Sequence, residues 1–367
     1  MDLEVDRRNL QTVRLVDRAA AALQPGQARL RVDCFALTAN NITYAVFGDM
    51  MQYWNFFPAA PAAEVAEGDD TLWGRVPVWG FAEVVESTAG ELAEGTRVYG
   101  YLPMSTELVV QPGRFDDRGF TDMAAHRAPM AGAYNRYVRC SEDPIYDAER
   151  EPHQMVLYPL FFTSFMIDDV LADGGLLDES TVVISSASAK TAIGAAYLLS
   201  RREGVRVVGL TSARNAEFVR GLGCYHQVVT YDALGELPAG EASYVDIAGD
   251  SAVTRAVHEH YADRLRSSMI VGGTHWDGPP PVPGDLPGPA PQFFFAPTQI
   301  AKRNADWGRD GLEARTVDAW VAYRDWVDGW LHFERAHGPE GVRHTYLELL
   351  AGRADPTVGH VCTMEPA

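Results

Sequence analysis

The sequence predicts an α/β protein, a doubly wound parallel-sheet domain joined to a β-rich domain. Two observations predict it. Within residues 181–215, a β-branched run, a short polar turn, a helical stretch and a second β-branched run follow one another. Continuous apolar strands of this kind suit a parallel sheet covered on both faces. Before residue 157, by contrast, short strand-like runs recur with Gly, Pro and Asp between them, the punctuation of antiparallel strands.

The elements follow in order. Residues 28–37, 76–87, 95–102, 106–111 and 135–140 read as strands. Residues 111–131 break this rhythm and read as an inserted loop. Apolar positions at helical spacing over 159–173 predict a helix leading into the parallel domain. Val182–Ile184 and Val205–Leu210 are its first two strands, with further strand ends at 228–232, 243–249 and 268–273, joined by right-handed crossovers. The Pro/Gly stretch 278–291 cannot be helix or central strand. It reads as a loop, either a lid or a dimer-contact arm. A strand is expected at 292–297, an aromatic helix at 316–337, a helix at 345–352 and a last strand at 358–364.

Composition excludes several classes. The 367 residues suffice for two cores. A net charge of −19 opposes nucleic acid or an anionic membrane surface as partner. Cys34, Cys140, Cys224 and Cys362 are far apart, without a CxxC pair, so no clustered thiolate zinc site is expected. The N-terminal stretch has charges throughout and no signal-peptide h-region. No apolar run reads as long enough to span a bilayer. A cytoplasmic protein is expected. His126, His153, His258, His260 and His275 have no metal-motif context, and no metal is expected. No G-x-S-x-G elbow occurs, which disfavours an α/β-hydrolase.

The chemistry concentrates in two turns. After the strand at 182–184 comes Ser185-Ser186-Ala187-Ser188-Ala189-Lys190-Thr191, with Gly194 following. A strand–turn–helix of this kind aims backbone N–H groups and a helix N-terminus at a pyrophosphate. Glycine normally permits the close approach. Here small side chains keep the backbone accessible, Ser186, Ser188 and Thr191 offer hydroxyls, and Lys190 offers a charge. The competing reading is a βαβ unit that binds nothing. After the second strand come Thr211-Ser212-Ala213-Arg214-Asn215. A site for NAD would place a carboxylate near here, for the ribose 2′-hydroxyl. Hydroxyls and an arginine suit a 2′-phosphate instead, so NADP(H) is the expected cofactor. The competing reading is an ordinary helix cap with a surface arginine.

Residue order along the chain resembles the medium-chain dehydrogenase/reductase superfamily, in particular its zinc-free quinone and enone reductase branch. Residues 30–48 are similar to that family's first core strand and asparagine-containing loop, 76–102 to its central strand pair, and 132–140 to its aromatic-containing strand. Residues 211–232 are the most specific match, with 243–249, 268–278 and 292–299 following in order. The resemblance implies a Rossmann-type NADP-binding domain over 158–298 and a GroES-like β-rich catalytic domain over 1–157 and 299–367. It implies that Thr163 contacts nicotinamide, that Gly272, Gly273 and Thr274 lie beside the cofactor, that Asn40 is the loop asparagine, and that the protein is a homodimer. Gly80-Phe81-Ala82-Glu83 stands where zinc-dependent relatives carry Gly-His-Glu, so zinc chemistry is not expected.

The implied activity is hydride transfer to an activated alkene or quinone: an enone, a quinone or an enoyl thioester. The substrate is then a small apolar carbonyl or thioester compound. Tyr44 is the candidate acid or oxyanion donor, beside Asn40. The other reading of Asn40, Asn41 and Thr43 is local turn bonding. Residues 50–58 read equally as an apolar pocket wall, a satellite core or a dimer contact. The alternative function is a non-redox descendant of the same fold, acting as a ligand-binding or complex-partner protein.

Overall fold

The computed structural model describes residues 1–59, 72–272 and 285–367. They form two compact units, Met1–Val156 with Leu331–Ala367, and Leu157–Trp330.

The first unit begins with an antiparallel pair, β1 (Asp2–Asp6) and β2 (Asn9–Val16), whose edge is extended by β4 (Trp73–Gly74). Its main sheet starts with β3 (Ala28–Leu37), which is followed by α1 (Ala39–Val46). It continues through β5 (Pro77–Ser87), β6 (Arg97–Pro103), β7 (Glu107–Val110), β8 (Pro112–Asp116), β9 (Gly119–Asp122) and β10 (Arg136–Arg139). The register of β5 on β6 sets Trp79 opposite Tyr101. β8 and β9 correct the expectation of a loop over 111–131, because they form a hairpin that extends the sheet beyond β10. Asp116 accepts from the N–H groups of Arg118 and Gly119 and so closes the turn. Phe120 is buried and stacks on Tyr137 at 5.2 Å.

α2 (Glu151–Asp173) leads into the second unit. The stretch Ala148–Asp173 is long and apolar enough to cross a membrane by length and composition, contrary to the expectation from sequence. Met155, Phe161, Met166, Ile167 and Leu171 along it are buried, and Asp168 and Asp169 on it are ion-paired to Arg202 and Arg303.

The second unit is a six-stranded sheet of β11 (Thr181–Ile184), β12 (Arg206–Thr211), β13 (Gln227–Thr230), β14 (Ala242–Asp246), β15 (Leu265–Ile270) and β16 (Gln292–Phe293). All pairings are parallel, in the order β13-β12-β11-β14-β15-β16. This is the order of a dinucleotide-binding sheet, which reverses direction between its first and fourth strands. α3 (Lys190–Leu199), α4 (Ala216–Gly221), α5 (Ser251–Tyr261) and α6 (Ala296–Val327) complete the unit, with Gly308 breaking α6 into two helical pieces. One apolar cluster gathers Ile184, Ile193, Val207 and Val245. Another gathers Val183, Val208, Tyr244 and Val257. Alternate residues of the same strands thus serve both faces, as a doubly wound sheet requires.

Residues 299–330 were expected with the β-rich domain, but they belong to the second unit. Aromatic packing explains it. Tyr323 stacks on Phe161 at 4.8 Å and meets Tyr197 at 5.2 Å, and Trp320 is fully buried. The helix expected over 316–337 also ends early. β17 (His332–His337) is a strand, paired parallel with β18 (Val358–Thr363) across α7 (Gly338–Leu350). β18 then pairs antiparallel with β3 and completes the first unit's sheet.

Candidate functional site

The first turn leaves β11 at Ser185. Ser185 Oγ donates to Asp246 Oδ1 at the end of β14 (2.7 Å) and accepts the N–H groups of Ile247 and Ala248 (2.8 and 2.9 Å). Asp246 also accepts from Gly249 N–H and from Thr254 Oγ1, both at 3.0 Å. This buried node ties β11 to β14, where the strand order reverses. Ser186 is left-handed, with φ +52°, at a place where glycine is normally needed. Two bonds hold it there. Its N–H donates to the Tyr231 hydroxyl (2.9 Å), and its carbonyl accepts from Ala189 N–H (2.7 Å). Ala187 is held from both sides, by Leu210 O and by the Tyr225 hydroxyl (2.9 Å each). Ser188 Oγ accepts from Asn215 Nδ2 at 2.9 Å, which joins the first turn to the second. Lys190 and Thr191, both half-buried, open α3 behind the turn.

The second turn, at the end of β12, differs. Thr211 is 1% exposed, so its side chain lies inside the fold. Its carbonyl accepts from Tyr231 N–H at 3.0 Å. Ser212 is half-buried. Arg214 is exposed and makes no ion pair among the described residues. No carboxylate occurs between Thr211 and Asn215.

Gly272 follows β15, at the same carboxyl edge of the sheet. Gly273, Thr274 and His275 lie outside the described residues, as does the first half of the Pro/Gly stretch. Thr163 lies on α2 and donates to Pro159 O (3.1 Å). Its neighbour Ser164 is the residue that reaches the turn, donating to Thr191 O at 2.8 Å. Gly194 makes room for it, since a Cβ there would stand 2.6 Å from Ser164 Oγ.

Ser164, Tyr225, Tyr231 and Asp246 escaped the sequence reading. The available signal was position. Tyr231 and Asp246 each close a β-branched run at the edge where ligands bind a parallel sheet.

In the first unit, α1 carries Asn40 and Tyr44 one turn apart, which sets the two side chains on one face. Trp79 Nε1 donates to the Tyr44 hydroxyl at 3.5 Å. Tyr44 is 6% exposed. Burial, with the neighbouring Tyr134, raises its phenol well above the usual range, so it stays a neutral donor. Asn41 serves the backbone instead: it accepts from Thr38 N–H (2.7 Å) and donates to Pro77 O (2.9 Å). Within the aromatic stretch 50–58, Trp54, Phe56 and Phe57 are buried, whereas Met50 is exposed. Arg127, also buried, stands over the Phe56 and Phe57 rings at 5.5 and 5.0 Å. One trio with metal-ligating chemistry, Asp33, Cys34 and Glu151, comes together among the described residues. Arg97 already binds both of its carboxylates, each at 2.7 Å.

The parallel sheet and the β-rich unit have the two-domain fold of medium-chain dehydrogenases/reductases. CurA from Vibrio vulnificus, solved with NADPH, superposes with a TM-score of 0.62 at 15% identity, covering 99% of this chain and 97% of that chain. The yhdH oxidoreductase of Salmonella enterica, solved with NADP, gives 0.55 at 14% identity, with 99% of each chain covered. CurK enoyl reductase gives 0.51 at 12% identity, covering 99% of this chain and 98% of that chain. These likenesses are of fold. Residues 35–355 match the family described as a protein of unknown function, DUF2855, and the chain belongs to that family. No curated protein matches it in sequence.

Proposed function

We propose that this protein is an NADPH-dependent, zinc-independent reductase of an activated alkene or quinone. The observation that carries the reading is the edge of the parallel sheet. A turn of small residues opens α3, and beside it stands a carboxylate-free turn with an exposed arginine. The residues present fit a dinucleotide phosphate. The first-turn N–H groups of α3, with Ser188, Lys190 and Thr191, hold the pyrophosphate. Arg214, with Ser212, holds a 2′-phosphate through its planar fork. Tyr231 accepts one bond through its oxygen and keeps its own O–H for a ligand oxygen. NADPH bound there supplies the hydride. Relatives in fold solved with NADPH or NADP support the cofactor, and the name of CurK supports alkene chemistry.

On the substrate side, Tyr44 and Asn40 are the proposed donors to a carbonyl oxygen on which charge develops. A neutral phenol suits that role, since only its protonated form donates. Arg97 occupies the carboxylates of the Asp33–Cys34–Glu151 trio, which supports zinc independence.

One observation favours the second reading, a non-redox descendant of the fold. The N–H groups of Ser186 and Ala187 are spent inside the protein. Fluorescence titration with NADPH and NADH, followed by turnover assays on enones, quinones and enoyl thioesters, separates the two. Tight NADPH binding with turnover supports the reductase. NADPH binding without turnover supports the descendant, and absence of NADPH binding at millimolar cofactor overturns the cofactor reading.

A further inference from the structure

A cleft of about 240 Å³ opens in the second unit at the opposite end of α3 from the candidate cofactor turn. A ten-residue helix puts its two ends about 15 Å apart. Tyr197, Ser200 and Arg201 come from the end of α3, Tyr225 and His226 from the segment before β13, and Trp326 from the end of α6. The donor inventory is one-sided. Arg201 is exposed, lies over the Tyr197 ring at 4.1 Å, and forms no ion pair among the described residues. His226 Nδ1 accepts Val207 N–H at 3.0 Å, which leaves the ring proton on Nε2. The Tyr197 hydroxyl is buried without a hydrogen-bond partner among the described residues. No Asp or Glu lines the cleft, in a chain that contains 50 of them.

We propose that this cleft is a second ligand site, for a small anion with a planar face such as an aryl carboxylate. The guanidinium takes the carboxylate in a paired fork, with His226 Nε2 as a further donor. The ring of Trp326 supplies the flat wall. A cleft lined by donors and lacking carboxylates selects against cations and against neutral rings.

Tyr225 gives the site a readout. Its side chain lines the cleft, and its hydroxyl donates to Ala187 O in the first turn. Gly209 clears the way, since a Cβ there would stand 2.8 Å from Tyr225 Cδ1 and 2.9 Å from Ala187 Cβ. A ligand that fixes Tyr225 fixes the Ala187 carbonyl with it. This linkage, unlike the site itself, rests on the reading of the first turn as a cofactor grip.

The experiment is isothermal titration of the full-length protein with benzoate, in the absence and presence of NADPH. Benzoate binds without NADPH, with a Kd of about a millimolar, and benzyl alcohol does not. Arg201→Gln weakens benzoate at least about tenfold; this exposed residue has no ion pair to lose, and an unchanged melting curve verifies the fold. Tyr225→Phe retains benzoate binding and abolishes the change of about two- to fivefold that benzoate makes in NADPH affinity. Equal benzoate affinity in wild type and Arg201→Gln, equal affinity for benzyl alcohol, or no benzoate binding overturns the site. Benzoate binding that has no effect on NADPH affinity overturns the linkage alone. Failure of NADPH to bind, with benzoate binding intact, overturns the cofactor reading and leaves the site standing.

Discussion

The two turns at the carboxyl edge of the parallel sheet are built on opposite plans. Residues 185–188 are each held by a side chain from elsewhere: Asp246, Tyr231, Tyr225 and Asn215. The turn at 211–215 keeps its threonine buried and leaves its arginine outside, without an ion pair among the described residues. The first turn therefore obtains its shape from bonds within the protein. The second presents its charge at the surface. A glycine-rich turn obtains close approach by having no side chains. This one obtains a fixed shape by tethering the side chains and backbone it has, and Asn215 couples the shape of one turn to the position of the other.

That contrast can be broken at several points. The largest effect is expected at Asp246. Asp246→Ala leaves Ser185 Oγ, Thr254 Oγ1 and Gly249 N–H without their acceptor, and denaturant unfolding is expected to report a loss of about 3 kcal/mol. A smaller effect, on binding alone, is expected at Arg214. Arg214→Ala weakens NADPH by about 2 kcal/mol, or about thirtyfold, with NADH affinity and the melting temperature unchanged. A melting temperature that falls with Arg214→Ala, or NADH affinity that falls in parallel, erases the division between the turns.

Tyr231→Phe removes the acceptor of the Ser186 N–H and costs about 1 kcal/mol of stability, together with part of the NADPH affinity. Ser186→Gly relieves the left-handed backbone and raises stability by about 1 kcal/mol. A Ser186→Gly protein no more stable than wild type places the strain elsewhere. The last effect is read from pH. Burial pushes the Tyr231 phenol up to about 12, so the folded state holds this proton more tightly than the unfolded chain. Its contribution to stability is complete below the ordinary phenol value near 10 and is lost as pH rises from there to about 12. Alkaline unfolding of wild type and Tyr231→Phe, compared over that interval, measures it.

How much of this was legible in the sequence follows from range. Strands β11, β12 and β14 announce themselves through local β-branched runs, whereas their order in the sheet is set by pairings distant in sequence. Ser186, Ser188, Lys190 and Arg214 are legible because they lie within a few residues of those strands. The side-chain bonds that give the first turn its shape join residues 27 to 63 apart in sequence, and no local pattern encodes them. The hairpin β8–β9 was missed because Gly113, Asp116 and Gly119 read as loop residues until a neighbouring strand pairs with them. The strand β17 was missed because its side chains also suit a helix, and pairing with β18 decides between them.

The parallel pair β17–β18 has a consequence for how the chain is made. β3 pairs with β5 along one edge and with β7 at Ala28–Arg31 of the other, but the Phe35–Leu37 end of that second edge waits for β18, which is made much later. Every residue of the second unit leaves the ribosome before that strand does. The parallel domain is therefore free to fold first, while the β-rich sheet stays open at the Phe35–Leu37 end of β3 until β18 emerges. A released chain truncated just after Trp330 is expected to protect residues 157–330 from protease and to leave the Phe35–Leu37 end of β3 cleavable. The exposed edge of β3 is a surface for which chaperones and aggregation compete until the final strand arrives.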